Sequence, residues 1–148
     1  MKKRETVDQL VDVFWESVPG AWHRTREVIR DAAAEKFHLT VEQFQVLRRI
    51  RRGIASVSSI AKDSRTTRSA VSKAVDGLVH KGLVVRDQDP NDRRNIPLVL
   101  TSEGDRIMEA IFNEAEAWLV RKFESLTEEE CVILRKGMEQ LKTIFTAD

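Results

Sequence analysis

Between Thr67 and Thr101 the chain reads TRSAVSKAVDGLVHKGLVVR, then DQDPNDRR, then NIPLVLT, and this order leaves few options. Thr67 is a residue that caps helices, because its hydroxyl can accept a backbone N–H of the first turn. Val71, Ala74, Val75 and Leu78 then fall on one helical face, and Gly82 offers the stop. Leu83 to Arg86 and Ile96 to Leu100 read as short strands around a turn rich in Pro90, Asn91 and aspartates. Strands this short form no core of their own. Pro97 lacks an N–H and should sit at a sheet edge. The expected fold is mostly α, with a small β-hairpin wing attached to a helix.

The flanking sequence supplies about five further helices. Val7, Leu10, Val11, Phe14 and Val18 have amphipathic spacing, as do Trp22, Val28, Ile29 and Ala33. Pro19-Gly20 stands between the two sets and predicts a break or kink there. Thr40 with Gln43 three residues on is a capping box, with Leu39 and Phe44 in staple positions. That helix should run from Val41 to about Arg52 and stop at Gly53. Phe44, Leu47 and Ile50 then face inward, and Arg48, Arg49, Arg51 and Arg52 largely outward, where they suit the negative end of the helix dipole. Ser56 to Lys62 reads as a short helix. After the hairpin, one helix starts near Ser102, and Thr127 with Glu130 caps the last.

A length of 148 residues suits one domain. The net charge of +1 says little, but its distribution is uneven. Residues 48–94 hold 12 Lys or Arg against 5 Asp, whereas the remainder holds 13 against 19 acidic residues. Such segregation directs a positive face toward a polyanion. No apolar run approaches the roughly 20 residues that span a bilayer, and a single cysteine fits a reducing compartment. The expected setting is the cytoplasm, with no membrane partner. No paired carboxylates, nucleophile–base pair, phosphate loop or metal-ligand spacing emerges, so the sequence points away from an enzyme and implies no cofactor and no metal.

A short helix, a turn and a capped helix form a helix-turn-helix, whose second helix can enter a DNA major groove. Arg93 and Arg94 at the hairpin tip suit a narrow minor groove, and Asp92 reads as a partner that orients Arg94.

At this point the chain resembles the MarR family of winged helix-turn-helix transcription regulators. The likeness rests on Leu78, Lys81-Gly82-Leu83-Val84, Arg86, Asp-Pro-Asn-Asp-Arg-Arg at 89–94, Leu98, Leu100-Thr101 and Gly104, with a looser match in TVEQFQVL from Thr40. The resemblance implies a single domain over 1–148. Helices of 1–38 and 102–148 would dimerise, and 40–101 would form a DNA-binding lobe. It further implies a homodimer on double-stranded DNA, acting as a ligand-responsive repressor at a pseudo-palindromic operator. Carried onto this chain, Arg68, Ser69, Ser72 and Lys73 would face bases or adjacent phosphates, and Thr67 would cap the helix beside a phosphate. Arg94 would enter the minor groove, braced by Asp92, with Arg93 nearer the backbone. Trp22, His23, Arg26 and Trp118 would line a pocket for a small aromatic or anionic effector, although aromatics at helical spacing also serve as plain core.

One departure stands out. The family's usual apolar-glycine-apolar turn is here Ser64-Arg65-Thr66, and arginine disfavours a positive φ. Arg65 is either an added phosphate contact or a neutral exposed residue. Cys131 falls opposite Leu126 in a staple position and is expected to pack there, while three glutamates beside it oppose a reactive thiolate. The alternative function is a winged-helix protein-interaction module without specific DNA binding.

Overall fold

The computed structural model describes residues 1–87 and 96–147. These form six helices and one hairpin: α1 (Lys2–Phe37), α2 (Val41–Arg51), α3 (Val57–Ser64), α4 (Arg68–His80), β1 (Val84–Arg86), β2 (Leu98–Leu100), α5 (Ser102–Phe123) and α6 (Glu128–Thr146). The expected class, mostly α with a β-hairpin wing, is the one observed. The chain divides into two compact units, Met1–Ala115 and Glu116–Asp148.

In the first unit, local capping chemistry starts each short helix. The Thr40 hydroxyl accepts the Gln43 N–H at 3.1 Å, and Gln43 Oε1 accepts the Thr40 N–H at 3.1 Å. Leu39 and Phe44 are both buried beside this box, as a hydrophobic staple requires. Ser56 caps α3 through the Ser59 N–H, and Thr67 caps α4 through the Ala70 N–H, each at 3.1 Å. Gly53 carries the chain out of α2 at φ +90°, in the left-handed region that glycine enters freely. The inward faces meet in one core, where Leu47, Ile60, Val75, Leu78, Val84, Met108 and Ile111 are fully enclosed. Burial of such side chains stabilises by about 1.5–3 kcal/mol each.

The hairpin is antiparallel, pairing Val84 with Leu100, Val85 with Val99 and Arg86 with Leu98. Pro97 precedes the ladder, and its carbonyl accepts the Asp87 N–H at 2.8 Å. Leu98 N–H donates to Ala55 O at 2.7 Å, stitching the second strand to the α2–α3 link. A tighter joint follows. Thr101 Oγ1 donates to Gly82 O at 2.7 Å and accepts the Gly104 N–H at 3.0 Å. A Cβ on Gly104 would lie 2.1 Å from Leu83 O, so only glycine lets α5 start against that backbone.

Three expectations for the first unit need correcting. α1 is one continuous helix through Pro19. Proline deprives the Trp15 carbonyl of its helical donor and crowds it. Yet residues 15–20 are exposed or half-buried, so water can serve that carbonyl and the helix continues. Next, Arg65 does adopt a left-handed conformation, at φ +52°. Hydrogen bonds from Thr66 N–H to Ala61 O at 3.0 Å and from Arg65 N–H to Lys62 O at 3.3 Å hold the turn. They outweigh a steric cost of about 1 kcal/mol. Third, Arg49 is not largely outside: its side chain is 17% exposed, with Nε donating to Asp63 Oδ2 at 2.8 Å and Nη1 to Gln45 Oε1 at 2.9 Å. Arg48 is half-buried, its guanidinium carbon 5.9 Å from the Phe44 ring centroid.

In the second unit, Thr127 and Glu130 form the expected capping box of α6. None of the described residues of α6 is buried. Cys131 is therefore exposed, contrary to the packing expected of it. It lies along a groove with Leu126, Leu134 and Met138.

Candidate nucleic-acid interface

Helix α4 sorts its side chains by helical period. Val71, Ala74, Val75 and Leu78 are buried, while Arg68, Ser69 and Lys73 are exposed and Ser72 is half-buried. The Thr67 cap satisfies one N–H of the first turn, and the remaining first-turn N–H groups form a positive end suited to an anion. Four of the five α4-region residues named from sequence thus share the solvent side, and the fifth, Thr67, holds the helix end.

Acidic groups near this surface are engaged from behind. Asp63 on α3 takes the Arg49 contact, and Asp76 on α4 accepts from Arg86 Nη2 at 2.5 Å. The second contact also ties β1 to α4, which sets where the hairpin leaves the helix. Neither pair was visible in the sequence, since the partners lie 14 and 10 residues apart. Asp92, Arg93 and Arg94, named for the wing tip, lie outside the described residues.

A groove of about 380 Å³ brings together Trp22, His23 and Arg26 of α1 with Phe44, Arg48 and Phe112. His23 Nε2 lies 3.2 Å from Glu27 Oε1, so its neighbour on the same helix already holds it. Partial burial pushes Arg48 below the usual guanidinium range, helped by the charges of Arg26, Arg52 and Arg49. Trp118 belongs to the second unit, where Lys122 Nζ stands 5.6 Å from its ring centroid. A separate groove of about 420 Å³ runs beneath the first half of α4, past Val46, Arg49, Ile60 and Val71.

Among the described residues no group of three or more His, Cys, Asp or Glu side chains is placed to hold a metal ion. Likewise, no helix among them is long and apolar enough to cross a membrane.

Three helices in this arrangement with a following hairpin, the third helix capped and basic on its outer side, define a winged helix-turn-helix protein. The model of the MarR family matches residues 39–96. The HTH-type transcriptional repressor MdtR of Bacillus subtilis is 32% identical over 127 residues, covering 85% of this chain and 81% of that one. The crystal structure of YusO from Bacillus subtilis superposes with a TM-score of 0.70 at 31% identity, covering 92% of this chain and 96% of the other. A transcriptional regulator from Thermotoga maritima, Tm0710, reaches 0.84 at 22% identity, covering 92% and 96%. The chain belongs to the MarR family, and as such it is a DNA-binding transcription regulator, not an enzyme.

Proposed function

We propose that this chain is a homodimeric repressor that binds a pseudo-palindromic operator and is released by a small effector, in the cytoplasm. The observation that carries the reading is the outer side of α4, where Arg68, Ser69, Ser72 and Lys73 lie free of the core at a capped helix end. Their side chains are of the kinds that bond base edges and phosphates. By the family resemblance alone, Asp92, Arg93 and Arg94 are assigned to the DNA contact of the wing.

Support for the dimer comes from apolar surface that a single chain leaves open. Trp15 is 69% exposed, Leu10 65%, Ile133 64% and Ile144 66%. Exposed apolar area of this kind marks an interaction surface. The helices of 1–38 and 102–148 form the dimer contact, and 40–101 form the DNA-binding lobe. Repression is supported by MdtR, which is named as a repressor. The groove of Trp22, His23 and Arg26 takes a small aromatic anion. The aromatic and cationic lining supports that chemistry.

Selection of bound duplexes from a random library tests the reading. The expected product is two inverted half-sites about one helical turn, ~34 Å, apart. Recovery of no common sequence would overturn it.

A further inference from the structure

The turn between α3 and α4 carries a feature that neither the core nor the α4 surface explains. Arg65 sits at φ +52°, where glycine would cost less, and its side chain is exposed. No carboxylate among the described residues pairs with it. The backbone bonds that cap α3 account for this φ but give the charge no role in the fold.

We propose that Arg65 is a DNA-backbone contact, which extends the footprint of α4 across the α3–α4 turn by one phosphate per bound chain. The inference rests on the DNA-binding reading above. Lys62 on one side and Arg68 on the other are also exposed, so positive charge flanks the turn in both directions along the chain. The carboxylate between Lys62 and Arg65, Asp63, is taken by Arg49 and repels phosphate less. The Thr66–Ala61 and Arg65–Lys62 backbone hydrogen bonds fix the Arg65 Cα before DNA arrives. Only the side chain then remains to be ordered, which lowers the cost of making the contact.

The arginine contacts phosphate, so it adds affinity without reading sequence. The test uses three variants, Arg65→Gly, Arg65→Asn and Arg65→Lys. Glycine and asparagine both accept the left-handed turn, and neither carries the charge. Each is titrated on a duplex selected by the unaltered protein and on a random duplex of equal length, across a salt series. Arg65→Gly and Arg65→Asn should weaken both duplexes by similar factors, about three- to tenfold. They should also lower the slope of log affinity against log salt by about 1 per bound chain. Arg65→Lys should keep the slope. Melting temperatures of the glycine and asparagine variants should equal or exceed that of the unaltered protein.

Unchanged affinity and slope in both charge-removing variants would overturn the proposal and leave Arg65 a neutral surface residue. A loss confined to the selected duplex would also overturn it, because that is base reading. If the unaltered protein itself bound neither duplex, the DNA-binding reading would have failed instead.

Discussion

Arg86 Nη2 of β1 lies 2.5 Å from Asp76 Oδ1 of α4, joining the wing to the third helix of the winged helix-turn-helix. Both side chains are partly exposed, at 34% and 66%, so the pair contributes at most about 1 kcal/mol to folding. Its consequence is geometric. Asp76→Ala and Arg86→Ala should each unfold nearly as the parent does in denaturant, yet the two changes should be strongly non-additive in affinity for the selected duplex. A double-mutant cycle checks this. Additive losses would mean that the wing finds its place without the pair.

Gly104 gives a prediction about stability. A Cβ there would press on the Leu83 carbonyl, which is backbone and cannot turn aside. Gly104→Ala should therefore destabilise by about 3 kcal/mol, read as a lower denaturant midpoint with little change in slope. A loss of stability below about 1 kcal/mol would show that α5 can shift its start freely.

The α6 cap should be sensitive to acid. Hydrogen bonds from the Thr127 backbone N–H and then its hydroxyl hold the Glu130 carboxyl below the usual carboxylate range. A group whose folded value is lowered stabilises above its unfolded value and loses that contribution as pH falls through the folded one. The contribution is thus whole above about pH 4.3 and disappears below it. Glu130→Gln keeps an acceptor and takes up no proton. Its loss of helicity on acidification, followed by circular dichroism, should therefore be shallower than the parent's. Superimposable curves would contradict this account of the cap.

The open apolar surface makes a prediction about assembly. Ile133→Glu and Ile144→Glu place charge on exposed positions of α6. Burying an unpaired charge is costly, so under the proposed homodimer both should shift the protein toward monomer in sedimentation and weaken operator binding. A monomeric parent protein would contradict the dimer directly.

How much of this was legible in the sequence depends on how local each cause is. The caps at Thr40, Thr67 and Thr127 were readable because each hydrogen bond closes within three residues. The buried stripe of α4 was readable because period alone dictates it. Pro19 misled because its local penalty is real, but an exposed helix face can meet it with solvent. Arg65 misled for the opposite reason: a preference of about 1 kcal/mol yields to backbone bonds reaching back to α3. The Arg49–Asp63 and Arg86–Asp76 contacts join separate elements and leave no periodic trace. Cys131 was expected to pack against Leu126 from the staple spacing, but spacing within a helix cannot show whether that helix is covered, and the thiol is exposed.

The most direct test is the ratio of affinities for a selected duplex and a random one at physiological salt, measured for the parent and for Lys73→Ala. Lys73 is exposed on the outer side of α4, opposite the buried Val71 and Ala74. The parent ratio should reach about 10³ or more, and Lys73→Ala should lower it about tenfold while changing random-duplex affinity far less. A parent ratio near one, or equal losses on both duplexes, would contradict sequence reading by α4.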